Sequence, residues 1–427
     1  MDNLLAYIKW RGDLSFEQDP FNEVDNLVLA VLCYTDFDYI VNAMDDPVVI
    51  SKVKEQFFAK YSSDDIEKKR GTFKDGAKIL EAIANTRRFG KTKLFGYINE
   101  VSNDDNSQFC AISYVLEDNT VYVAYRGTDA SIAGWKENIN MAYLYETPGQ
   151  KKAKNYLNEK FANNDYKIRV GGHSKGGNFA MYASSFCNYE IQDRIMTIYN
   201  NDGPGFRSDI SEYSSYNRII DKIISILPNE SIIGRILEND SKYVVIKSSK
   251  EGIWQHDAMT WEVSGNKFDY CDKLSYKSLI IDEKMTSWLE GLDNDARKEF
   301  IDALFDLLTY LQKEDVNTID DLLKQIHEDK GKIKCNVDKL TDKQKKIIRD
   351  VKFKFLWGAV AAHTPSMFDD IKNSFLDVFS EMKRAFFVDD DIVAEVEANA
   401  KEKAKAKKPD NMDEDDWLFL NTIDDEL

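Results

Sequence analysis

The segment Gly172-His173-Ser174-Lys175-Gly176 constrains this chain more than any other. It falls between a run of strand character, Lys167-Ile-Arg-Val170, and a helical pattern through Phe179, Ala180 and Ala183. A strand that turns directly into a helix with a serine at its apex forces that serine into a strained backbone conformation. Only small residues two places before and two after it avoid clashes. Gly172 and Gly176 supply them. Out of context the string reads as a glycine-rich turn; in this context it reads as the G-x-S-x-G elbow that lifts a nucleophilic serine above the edge of a sheet.

The flanking sequence fits such a sheet. Cys110-Ala-Ile-Ser-Tyr-Val-Leu116 and Thr120-Val-Tyr-Val-Ala-Tyr125 are joined by a short polar link and predict an antiparallel hairpin. Ala153, Tyr156, Leu157 and Phe161 recur at helical spacing before the strand that enters the elbow. Arg194 to Tyr199, Lys222 to Leu227 and Tyr243 to Lys247 are further β-type runs, and the C-terminal ends of such strands are where open α/β sheets gather reactive groups. The expectation is an α/β protein of the α/β-hydrolase fold, a mostly parallel sheet with flanking helices, over 1–283. From about Met285 the apolar spacing turns helical, predicting a C-terminal helical region over 284–388. The Lys/Ala-rich and acidic stretches after it predict a charged, flexible tail over 389–427.

A serine hydroxyl needs a base, and the chain has four histidines. His173 lies inside the elbow, while His327 and His363 fall in the helical C-terminal part. His256 remains, in Gly252-Ile-Trp-Gln-His-Asp257 after the last β-type run, where this fold places its base. For the acid, strand counting favours Glu230, in the loop after Lys222 to Leu227, over Asp202 in Asn201-Asp-Gly-Pro-Gly205. Asp202-Gly203 can also be read as a plain turn. Acyl transfer further needs donors aimed at the developing oxyanion, worth about 10²–10³ in rate each. The backbone N–H of Lys175 is one. Thr128, which follows the second hairpin strand, is the candidate for the other, with capping of the next helix as its alternative role.

Composition excludes several other functions. A formal net charge of −18 with no basic stripe opposes nucleic acid and anionic membrane surfaces as partners. Five dispersed cysteines without a C-x-x-C pair argue against a disulfide framework or a zinc site, and the expected compartment is a reducing cytoplasm. No cofactor and no metal are expected. The longest apolar run, Leu27 to Tyr34, is far short of a membrane span.

Val123-Ala-Tyr-Arg-Gly-Thr128 followed by Gly172-His-Ser-Lys-Gly-Gly177 resembles the class 3 lipase group of α/β-hydrolases. Together with Trp10-Arg-Gly-Asp-Leu-Ser15, Pro20-Phe-Asn-Glu-Val-Asp25, Asn201-Asp-Gly-Pro-Gly205 and Trp254-Gln-His-Asp257, the motifs resemble a bacterial lipase-like family of unknown function within that group. The resemblance implies Ser174 as nucleophile, His256 as base and Thr128 as an oxyanion residue. Secreted lipases of the group usually carry an aspartate as the acid and a hydrophobic residue after the serine. Here Glu230 is the proposed substitute for that acid and Lys175 follows the serine, two departures that point away from triglyceride and toward a soluble acyl, lysophospholipid or other small ester. A carboxylic-ester hydrolase is therefore the expected activity. An acyltransferase or peptidase using the same triad, and a non-catalytic α/β module whose helical C-terminal part binds a partner, are the alternatives.

Overall fold

The computed structural model describes residues 3–279, apart from Met44, Asp45, Arg70, Ala130, Ser208, Asp209 and Lys277, together with Lys298. The boundary expected at 283, and apart from Lys298 the helical region and tail expected beyond it, lie outside the described residues.

The strands, in chain order, are β1 (Val48–Val49), β2 (Lys93–Ser102), β3 (Ser107–Val115), β4 (Thr120–Tyr125), β5 (Lys167–His173), β6 (Ile195–Asn201), β7 (Ile223–Pro228), β8 (Tyr243–Ile246), β9 (Val263–Ser264), β10 (Lys267–Phe268) and β11 (Tyr270–Cys271). Among the described residues, β1 to β8 lie side by side in sequence order with β11 beyond β8, while β9 and β10 pair separately. The sheet is mixed rather than mostly parallel. From β4 to β8 the neighbours run parallel, whereas β1 to β4 and the β8–β11 pair are antiparallel. The hairpin read from the sequence is β3–β4, with Ile112 opposite Ala124.

The helices that flank the sheet are α1 (Leu4–Arg11), α2 (Glu23–Leu32), α3 (Ile50–Lys60), α4 (Ser63–Lys69), α5 (Gly71–Ile83), α6 (Ile132–Asn140), α7 (Pro148–Phe161) and α8 (Lys175–Phe186). Strand β4 explains why both faces need cover. Val121, Val123 and Tyr125 enter a core built with Leu157 of α7 and Phe179 and Ala183 of α8. The alternate residues Tyr122 and Ala124 enter a second core with Leu27, Val28 and Val31 of α2 and Ile79 and Leu80 of α5. A strand buried on both faces reads as a continuous apolar run, which is how this one reads. Leu27 and Leu157 are fully buried, so truncating either to alanine removes packing worth about 2–5 kcal/mol.

The N-terminal segments singled out in the sequence build this cover. Asn22 and Asp25 cap α2 reciprocally. Asp25 is wholly buried and pairs with the equally buried Arg88, whose guanidinium also donates to the carbonyls of Asp19 at 2.9 Å and Pro20 at 3.2 Å. The loop before α2 is thereby wrapped around one cation. Among the described residues no helix is long and apolar enough to cross a membrane.

Candidate active site

Strand β5 ends at His173 and α8 begins at Lys175, leaving Ser174 alone in the turn. Its φ of 58° and ψ of −133° lie in a region that side-chain-bearing residues rarely adopt, a strain of about 1–3 kcal/mol. The surrounding packing holds it there. A Cβ on Gly176 would lie 2.0 Å from the Tyr125 carbonyl oxygen, and one on Gly172 would lie 2.4 Å from the Gly176 backbone. Behind the turn, the Ser174 N–H donates to the Asn201 carbonyl at 3.0 Å. The Asn201 amide donates to the Gly172 carbonyl at 2.9 Å and exchanges hydrogen bonds with Asn26 of α2. Tyr122 closes that buried network on Asn26 at 2.7 Å.

Ser174, His256 and Thr128 line one cavity of about 550 Å³, counting its open mouth, together with Tyr34, Asp75, Asp257 and Met259. Ser174 is 2% exposed, and its Oγ has no hydrogen-bond partner among the described residues. No hydrogen bond therefore joins Ser174 Oγ to His256.

His256 ends a short 3₁₀ turn, Gly252–His256, and its Nδ1 lies 2.6 Å from Oδ2 of Asp202. A carboxylate only accepts, so Nδ1 carries the proton and the Nε2 lone pair is the basic one. Asp202 is fully buried, and its other oxygen accepts from Ser231 Oγ and from the Gly234 N–H at 3.1 Å. The carboxylate is therefore anchored on both sides. The next residue, Gly203, has to be small because a Cβ there would come within 2.3 Å of the Ser174 carbonyl oxygen.

The strand-counting preference for Glu230 is corrected here, because the carboxylate on His256 belongs to Asp202. Glu230 does follow β7, but its side chain accepts from the Gly252 N–H and from Gln255 Nε2, while its own N–H donates to Gln255 Oε1 at 3.0 Å. It holds the turn that carries the histidine and does not reach the ring. Asp202 sits at the end of β6 with a φ of 50°, which swings its short side chain toward His256. The signal available in the sequence was that pairing of an aspartate with Gly203 in a glycine-rich segment. It is also the signature of a simple turn.

His173 turns out to be more than a filler of the elbow. Its Nε2 lies 2.8 Å from the His256 carbonyl, which can only accept, so that nitrogen carries the proton. Its Nδ1 takes the Tyr34 hydroxyl at 3.1 Å, and burial pushes that hydroxyl far above its usual range, so it remains a donor. The two imidazoles stack with centroids 4.6 Å apart. His173 therefore holds His256 from behind.

On the oxyanion side, Thr128 is buried and its hydroxyl donates to Asn138 Oδ1 of α6 at 2.9 Å. The capping role goes to Ser131 instead, whose Oγ accepts the Gly134 N–H at 3.1 Å. The side chain of Lys175, which the sequence reading takes as a pointer to a soluble ester, is not among the described residues that line the cavity. The ammonium is fully buried against Gln108 and Glu137. At the cavity, burial raises the carboxyl of Asp257 above its usual value, and the nearby Asp75 adds to the effect.

A family model described as Mbeg1-like matches residues 83–306, just over half of the chain. No curated protein matches. Among solved structures, the crystal structure of M37 lipase is 16% identical over 49% of this chain and 68% of that chain, with a TM-score of 0.31, a likeness too slight to carry weight. The matched residues include the elbow, Asp202 and His256, in agreement with the lipase-like family of unknown function that the sequence motifs resemble. The chain belongs to the Mbeg1-like family.

Proposed function

We propose that this chain is a serine hydrolase of the α/β-hydrolase type that cleaves small carboxylic esters through Ser174, His256 and Asp202. The observation that carries this reading is the buried Asp202–His256 contact of 2.6 Å beside a serine whose backbone is strained and whose hydroxyl is unpartnered among the described residues. Ser174 Oγ attacks the ester carbonyl while His256 Nε2 takes its proton, and Asp202 stabilises the imidazolium that results. The Lys175 N–H at the start of α8 receives the oxyanion. The Thr128 hydroxyl is committed to Asn138, so its backbone N–H is the donor that the second loop offers. His256 then passes its proton to the leaving alcohol, and water releases the acyl group by the same steps in reverse roles. Val31, Ala258 and Met259 give the cavity a mainly apolar wall around a few polar groups, which suits the acyl part of a small ester.

A serine-reactive fluorophosphonate probe tests the reading. The wild-type protein is expected to label and to turn over p-nitrophenyl esters, and folded Ser174→Ala is expected to do neither. Equal turnover by the two proteins would refute it.

A further inference from the structure

Lys175 occupies a place where a lysine is doubly unfavourable. It begins α8, at the positive end of the helix dipole, and its side chain is wholly withdrawn from water. The ammonium is nevertheless fully satisfied. Nζ donates to the Gln108 carbonyl at 2.9 Å, to Gln108 Oε1 at 2.7 Å and to Glu137 Oε2 at 3.0 Å. Glu137, also fully buried, accepts the Gln108 N–H at 3.0 Å through Oε2 and the Gly149 N–H at 2.6 Å through Oε1. The acceptors come from β3 and α6, and these elements hold the two ends of the loop that carries Thr128. The Arg126 N–H donates to the Cys110 carbonyl of β3 at 3.0 Å, and Thr128 itself is tied to α6.

We infer that the Lys175–Glu137 ion pair is a positioning device that fixes the gap between the two halves of the oxyanion hole. This rests on the proposed hydrolase reading. The residue that offers one N–H is held by its own side chain to the frame that presents the other donor. Oxyanion donors act only where charge develops, so a small shift in their spacing lowers the rate of bond formation and leaves substrate binding nearly unchanged. A pair serving stability alone would instead lower the amount of folded protein and leave each folded site at full rate.

The test is Lys175→Met/Glu137→Gln, which removes both charges and keeps an amide oxygen for the Gly149 N–H, measured beside Gln108→Met, which frees no charge. Fluorophosphonate inactivation gives separate binding and bond-forming constants, p-nitrophenyl acetate gives kcat and KM, and active-site titration expresses all rates per functional site. The double variant is expected to lose at least about tenfold in kcat and in the bond-forming constant, with KM and probe binding within about twofold. Gln108→Met is expected to lose about threefold by the same measures, and it decides the matter if the double variant does not fold. Wild-type rates per site in a folded variant would overturn the inference while sparing the hydrolase reading. A wild-type protein that neither labels nor turns over ester would overturn both.

Discussion

Replacing Asp202 by asparagine isolates what the buried carboxylate does. Two donors, Ser231 Oγ and the Gly234 N–H, already point at Oδ1, so the amide oxygen must stay on their side. The amide nitrogen then faces His256 Nδ1 across the 2.6 Å contact and donates to it. That reverses the tautomer, placing the ring proton on Nε2, where it blocks acceptance of the serine proton. The imidazolium also loses its counter-charge. A comparable amide substitution in a serine triad costs about 10⁴ in kcat, or about 5 kcal/mol of transition-state stabilisation. Glu230→Gln is the control, because among the described residues the Glu230 carboxylate accepts from the Gly252 N–H and Gln255 Nε2 through one oxygen, and a glutamine oxygen can keep both bonds. Its expected loss is about tenfold or less, through a looser turn under His256. Steady-state turnover of a p-nitrophenyl ester, corrected for active-site titre and run beside a thermal melt, compares the two. If folded Asp202→Asn retains more activity than Glu230→Gln, the assignment of the acid is refuted.

Three further outcomes follow from the same geometry. Ser174→Gly relieves a φ of 58°, so it should abolish labelling yet raise stability by about 1 kcal/mol, a Tm gain of about 2–4 °C in calorimetry. Gly176→Ala places a methyl 2.0 Å from the Tyr125 carbonyl oxygen and should cost about 3 kcal/mol or more in urea unfolding; a neutral result would mean that the elbow is not tightly packed. Burial holds the Asp257 carboxyl above its usual value, so the folded protein binds that proton more tightly than the unfolded chain. This stabilising contribution is complete below the ordinary value of about 3.9 and is lost as pH rises through the raised one. Asp257→Asn keeps an oxygen for the Met259 N–H, so its Tm should exceed wild type near pH 7, with the gap closing toward pH 3.

The elbow was legible because its requirements are local. Two glycines, a serine, a preceding strand and a following helix are all written within a few residues, and the packing around Gly172 and Gly176 gives the physical reason. The placement of His256 beside the elbow was legible by elimination among four histidines. The carboxylate that meets it was not, because strand counting gives the order of loops along the chain but not how far each side chain reaches. Glu230 is in the expected loop yet is captured by the backbone of the His256 turn, while Asp202 reaches the ring through a left-handed backbone. Glu137 and Asn138 were invisible for a similar reason, since neighbours on α6 carry no signal that one meets Lys175 and the other Thr128. The antiparallel side of the sheet was underestimated because β1 and β2 lie in sequence that gave no clear period.

The family model begins at residue 83, but the machinery does not. Val31, Tyr34 and Asp75 line the cavity, and Asn26 holds the elbow from behind, all from helices or their ends earlier in the chain. A shortened protein cut to the matched span would leave Asn201 and His173 with unanswered polar groups. It would also bare the sheet face made by Ile112, Tyr114, Tyr122 and Ala124, an apolar surface that invites aggregation. The region that sequence similarity delimits is therefore smaller than the unit that builds the cavity, and under the proposed function mutations upstream of the match at Asn26 or Tyr34 should register in catalysis as well.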